Sequence, residues 1–215
     1  MPQPPKSTPR KYLRRYTHLP ALLHLLRERK LTLLDPSSWD DSNDSYYVNE
    51  YKSKRELRTV LALCLSQAPE TYHHWRVFAG SPAGVCIRFR QGSLLRVLRQ
   101  VKGVSVGVVQ YLKIAEARKQ ALSIDELPFV KRAAFEDEAE VRVLYESAAD
   151  SHVSLEIPIS LDCISRITFS PWLPKPLVAA SKQVIQAIEG CQYIEVVRSS
   201  LIGNEEWKKR ARNAE

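Results

Sequence analysis

The chain has 215 residues, 44% of them apolar and 26% charged, with 32 Lys and Arg against 24 Asp and Glu for a formal net charge of +8. That is enough apolar material for one single-core domain. No apolar run approaches the roughly 18–20 residues a membrane span needs, and Met1-Pro2-Gln3-Pro4-Pro5-Lys6 lacks the apolar core of a signal peptide, so a cytoplasmic protein with no membrane partner is expected.

Residues 1–10, rich in proline, are expected to form a flexible leader, residues 11–198 a single domain, and residues 199–215 a basic tail or helix. Tyr12–Tyr16 reads as a first strand, and Pro20 suits the first turn of a helix carrying Leu22, Leu23, Leu25 and Leu26. Leu31–Leu34 reads as a second strand, closed by Asp35-Pro36. The loop Trp39-Asp40-Asp41-Ser42-Asn43-Asp44 then gathers three acids and an Asn beside one aromatic. It lacks the ligand spacing and the glycine of a calcium loop, so it reads as a turn with Asp44 as the N-cap of the next helix.

Thr59–Ser66 is an apolar run of central-strand length, with Ser66 at its exit. A helix over 69–78 and a strand over 84–89 follow. Beyond them the sequence predicts a helix over 92–99, one long strand over 104–112, and helices over 114–122 and 124–132. After residue 145 come strands over 153–157 and 164–169, a helix over 176–189 and a last strand over 193–197. The mixture reads as a single-domain α+β fold, helices surrounding a mostly antiparallel, split sheet. Cys64, Cys86, Cys163 and Cys191 lie far apart with no Cys-x-x-Cys, so no metal site and no disulfide framework is expected. Seven glycines without a phosphate loop exclude a P-loop or Rossmann turn.

The stretch that stands out is Phe135–Tyr145. Read as a strand, it puts Ala139, Val141, Val143 and Tyr145 on one face and Glu138, Glu140, Arg142 and Leu144 on the other. Two carboxylates and a guanidinium thus line up within reach of one ligand. The bland alternative is a solvated face whose ion pairs are each worth about 0–1 kcal/mol.

Several motifs follow one another along the chain: Arg15-Tyr16-Thr17, Asp35-Pro36-Ser37-Ser38-Trp39-Asp40-Asp41, Leu63-Cys64-Leu65-Ser66, His74-Trp75, Gly84-Val85-Cys86-Ile87-Arg88-Phe89, Val109-Gln110-Tyr111, and Lys131 with Phe135 and Glu138-x-Glu140-x-Arg142. This succession, spanning most of residues 11–190, resembles a widespread bacterial domain of unknown function to which abortive-infection proteins of the AbiGi kind are related. The family usually shows Asn-Asp-Pro where this chain has Asp40-Asp41 and then Asn43-Asp44. Its layout is in turn similar to the ADP-ribosyltransferase superfamily, with Arg15 or Tyr16 as the first-strand element, Ser66 as the second and Glu138-x-Glu140 as the third.

What the resemblance implies is transfer of ADP-ribose from NAD, as co-substrate and without a metal, to a nucleic-acid or protein acceptor. Glu140 would stabilise the charge building on the ribose, Glu138 would orient or deprotonate the acceptor, and Arg142 would keep Glu140 ionised. Arg15 would hold the phosphates, and Tyr16, Trp39 or Trp75 would stack on a ring, core packing being the competing role for Trp75. A cognate antitoxin or partner protein would fit a toxin of a phage-defence system. The alternative is a non-catalytic binding or sensing module of such a locus, contacting nucleic acid or protein through its basic ends.

Overall fold

A computed structural model describes residues 11–214, so the leader over 1–10 lies outside the described residues. The main sheet begins with β1 (Tyr12–His18) and β2 (Lys30–Leu34), joined by helix α1 (Leu19–Glu28). Helix α2 (Ser42–Lys54) leads to β3 (Thr59–Ser66), and α3 (Tyr72–Val77) leads to β4 (Gly84–Arg90). After α4 (Gln91–Leu98) come β5 (Val104–Val108) and β6 (Gln110–Leu112), then α5 (Ile114–Ala117), β7 (Val130–Arg132) and β8 (Glu140–Ser147). The chain ends with β9 (Ser154–Pro158), β10 (Ile164–Phe169), α6 (Lys175–Gln186), β11 (Glu195–Arg198) and α7 (Glu205–Arg212). The result is the expected α+β domain built on a mostly antiparallel sheet.

Nine strands form that sheet, in the order β11-β10-β4-β1-β3-β2-β9, with β8 and then β5 branching from β3. Among the described residues only β10 and β11 run parallel within it. β3 pairs with β8 over its whole length, from Thr59 opposite Ser147 to Ser66 opposite Glu140. Its other edge touches β1 only at Arg14 and Ser66, and β2 only at Leu34 and Ala62. The sheet therefore forks there, and the gap between β1 and β2 opens above β3.

Alternation along the strands sorts residues between two cores. Leu61, Leu63 and Leu65 of β3 and Val141 and Val143 of β8 join Leu22, Leu25 and Leu26 of α1 in the larger core. On the opposite face Val60, Ala62 and Leu144 pack beneath Val48 and Tyr51 of α2. Both faces of β8 are thus covered, and its charged residues must sit inside protein rather than on a solvated face.

Several elements differ from the sequence reading. Phe135–Glu138 is not strand but the end of a 3-10 turn over Ala133–Glu138, and β8 starts only at Glu140. Between them Ala139 takes a left-handed conformation, φ 43° and ψ 54°, which costs a non-glycine residue about 1–2 kcal/mol. That cost is met by three bonds: Ala139 N–H to the Glu136 carbonyl at 3.1 Å, Gln67 N–H to the Ala139 carbonyl at 2.9 Å, and Glu140 N–H to the Tyr111 hydroxyl at 2.9 Å. The segment 124–132 is a 3-10 turn over Ile124–Phe129, with Pro128 inside it, followed by β7. The stretch 104–112 is two strands: β5 pairs with β8, a register the Val109 N–H still follows by reaching the Glu140 carbonyl at 3.0 Å, and β6 pairs instead with β7 in a separate sheet. The cap of α2 is Asp41, not Asp44.

Candidate active site

The fork holds a cleft of about 490 Å³, lined by β1, β2 and β3, the Asp35–Asp41 loop, and the turn that carries Glu138. At its floor lies a compact ionic cluster. Arg142, fully buried, donates from Nε to Glu140 Oε1 at 2.7 Å and from Nη2 to Glu140 Oε2 at 3.1 Å. Its Nη1 and Nη2 reach Asp44 Oδ1 and Oδ2 at 2.8 and 2.7 Å, and Nη1 also reaches the Pro128 carbonyl at 2.8 Å. All five N–H donors of the guanidinium are therefore used, by two forked carboxylates and one carbonyl. The ring of Trp39 closes one side, 4.7 Å from the guanidinium carbon. On β5, Gly107 stands opposite Arg142, and a Cβ there would come within 2.6 Å of the Phe129 ring. The glycine lets that ring close over the strand.

Lys131 of β7 completes the cluster. Its ammonium lies 2.7 Å from Glu138, 3.5 Å from Asp44 and 3.7 Å from Glu140, over the ring of Phe135. Three buried carboxylates thus share two cations. The electrostatics separate the two glutamates. Burial opposes the charge on Glu140, but Arg142 outweighs it and holds the carboxyl below its usual range. For Glu138 burial prevails over Lys131, and its carboxyl is pushed up to about 7. One carboxylate is held as an anion, and the other takes up or releases a proton near neutrality.

Arg15 lines the cleft, and among the described residues no side chain or carbonyl bonds its guanidinium. Burial pulls it down to about 10, so it is a cation held partly out of water without an anion. Tyr16 also lines the cleft, but its ring is already stacked on His74 (5.3 Å, 17°) and edge-on to Trp75 (5.2 Å, 87°). Its hydroxyl is buried and has no hydrogen-bond partner among the described residues. Trp39 lines the cleft while stacked on Arg142. Trp75 does not line it: the indole is 1% exposed, packs with Ala79 and Cys86, and donates to Glu70 at 2.6 Å. Its face is taken up by core packing.

Ser66 acts on the backbone. Its hydroxyl donates to the Glu138 carbonyl at 2.7 Å and accepts from the Ala68 N–H at 3.0 Å, tying the Glu138 turn to the end of β3. Arg142 sits behind Glu140 rather than on the cleft wall, which makes it a positioning residue. The sequence reading did not assign a site role to Asp44, Lys131, His74 or Cys64. Asp44 is buried against Arg142, while His74, also buried, lies 3.4 Å from the Ser66 hydroxyl. Cys64 opens into the cleft opposite Arg142 on the neighbouring strand, where desolvation and Glu140 push its thiol well above the usual range. The other three cysteines are buried and unpaired. Among the described residues no group of three or more His, Cys, Asp or Glu could hold a metal ion, and no helix is long and apolar enough to cross a membrane.

No family model matches the sequence, and no curated protein matches it. Among solved structures it is similar to DarT of Thermus sp. 2.9. The DarT complex with ADP-ribosylated ssDNA is 10% identical, with a TM-score of 0.47 over 89% of this chain and 95% of that one. The complex with NAD+ is 10% identical, with a TM-score of 0.46 over 90% and 98%. The complex with carba-NAD+ is 9% identical, with a TM-score of 0.46 over 90% and 97%.

Proposed function

We propose that the cleft binds NAD and transfers its ADP-ribose to a macromolecular acceptor. The observation that carries this reading is the pairing, in one cleft, of a carboxylate held ionised with a second carboxyl poised near neutrality, beside a cation that has no anion of its own. Cleaving the bond from nicotinamide to ribose C1′ builds positive charge on the sugar. Glu140, oriented by two bonds from Arg142, keeps lone pairs for a ribose hydroxyl and supplies negative charge where that cation forms. Glu138, ionised, removes the proton of the attacking acceptor group, and Lys131 steadies the resulting charge changes. Arg15 takes the diphosphate, an anion that matches its unpaired guanidinium. Trp39 and Phe135 provide ring faces on the wall.

The direct test is to incubate the protein with NAD labelled in its adenylate half, together with DNA, RNA or a protein extract, and to follow label into the macromolecular fraction. Transfer to at least one acceptor, with release of nicotinamide, is expected. Intact NAD with every acceptor would overturn the reading.

Two further outcomes follow from the electrostatics. Arg15→Gln removes a half-buried cation that has no anion among the described residues, so the melting temperature is expected to rise by about 2–4 °C, as for a gain of about 1 kcal/mol in a domain of this size. The same change is expected to weaken NAD binding about 10- to 100-fold, because a charge-assisted bond worth about 1.5–3 kcal/mol is lost. Calorimetry on the pure protein measures both.

Glu138 sets the pH dependence. With its carboxyl at about 7 instead of 4.5, the base form accumulates as pH rises, so transfer is expected to climb through pH 7 and then level off. Stability runs the other way. Between 4.5 and 7 the folded state holds a proton the unfolded chain has lost, so the group's contribution, complete below 4.5, is lost as pH rises through 7. Glu138→Gln is expected to flatten that decline, read as melting temperature against pH, and to remove the step in rate.

A further inference from the structure

The proposed chemistry leaves unused a row of arginines on the sheet face opposite the larger core. β10, β4 and β1 are neighbours, and their register sets Arg166 opposite Arg88 and Arg88 opposite Arg14. With strands roughly 4.8 Å apart, three guanidinium-bearing side chains stand on one face within about 10 Å. Like charges directly opposite one another weaken a sheet. The Arg88 guanidinium is accordingly pulled below its ordinary value, by burial first and by Arg166 next.

Among the described residues one acid pairs with them: Glu195 holds Arg166 at 2.6 Å and stands 4.0 Å from Arg88. The other two are aimed by neutral acceptors, Arg14 by the Ala68 carbonyl at 2.8 Å and Arg88 by the Ser165 hydroxyl at 2.9 Å. Such bonds fix direction without cancelling charge. The Arg88 guanidinium also lies 4.5 Å from the centre of the Tyr12 ring. The row leads into the cleft, since Arg14 pairs with Ser66 and Ser66 with Glu140 on the next two strands.

We infer that this row is a track for the sugar–phosphate backbone of a single-stranded nucleic acid, laid across β10, β4 and β1 so that a nucleotide reaches Glu138 and Glu140. The inference rests on the transferase reading of the cleft and names its acceptor. Repeated phosphates match repeated guanidiniums. The two glutamates are only 6% and 3% exposed, so a base still stacked in a duplex cannot approach them, whereas an unpaired one can.

The test is fluorescence anisotropy of a labelled 20-nucleotide strand, as DNA and as RNA, measured over a range of salt with the whole protein. The double variant Arg88→Gln/Arg166→Gln is expected to bind at least about tenfold more weakly, with a salt slope shallower by about 1.4, or 0.7 per phosphate contact. Arg88→Lys is expected to stay near wild type. Lys208→Gln/Lys209→Gln on α7, which removes equal charge elsewhere, is expected to change affinity less than about twofold. NAD affinity should be unchanged in all of them. Equal loss in the α7 variant, no loss in the row variant, tighter binding to duplex, or equal competition by poly-glutamate would each overturn the track. Row-dependent strand binding without any transfer from NAD would leave the track standing and remove the transferase reading instead.

Discussion

Glu140→Gln is expected to lower ADP-ribosyl transfer about 10²–10³-fold, the usual loss when one preorganised group facing a developing charge is removed. The amide keeps the shape of the side chain and one oxygen for Arg142, but it cannot carry the negative charge that the forming oxocarbenium needs. Arg15 is untouched, so NAD affinity is expected to stay within a few-fold of wild type and the loss to appear in kcat. The variant is expected to be less stable but still folded, because Asp44 keeps its two bonds to Arg142, at 2.8 and 2.7 Å. A melting curve beside the rate measurement separates the two effects. Transfer within tenfold of wild type in a folded Glu140→Gln protein would remove Glu140 from the chemistry.

Arg142→Met is expected to cost about 3–5 kcal/mol of folding stability, the penalty for leaving buried charges without their partner. Against a typical domain stability of about 5–15 kcal/mol, that is a large share. Asp44 and Glu140, both buried, would face one another with Lys131 as the one cation near them among the described residues, at 3.5 and 3.7 Å. The denaturation midpoint in urea measures the loss. A double-mutant cycle identifies its cause: Asp44→Asn should destabilise the wild type strongly and the Arg142→Met background much less. A drop below about 1 kcal/mol, or additive effects of the two substitutions, would mean that the cluster does not act as a unit.

The strand alternation in Val141, Val143 and Arg142 and the apolar run Thr59–Ser66 were legible along the chain, because a pleat repeats every two residues whatever surrounds it. So was the concentration of Glu138, Glu140 and Arg142 in one short stretch. Local pattern misled at Ala139, where a left-handed residue held by Gln67 and Tyr111 turns Glu138 off the strand. Nothing in propensity marks that turn, since its bonds come from distant segments. Local pattern also misled at Asp44, which has the look of a helix cap but is drawn into the interior by Arg142, 98 residues away.

Side-chain type and short-range period were enough to read the α+β class, the strand that carries Glu140 and Arg142, and the chemistry available to the acids. Only the tertiary structure decided which charges meet. Lys131 and Asp44 reach the glutamates, Arg15 is left without an anion, and Arg14, Arg88 and Arg166 fall into one row because strand register joins residues far apart in the chain. No local rule encodes those pairings. The pairings of Glu140 and Arg142 follow from burying both faces of β8 at once, which forces its charges to find partners inside the protein.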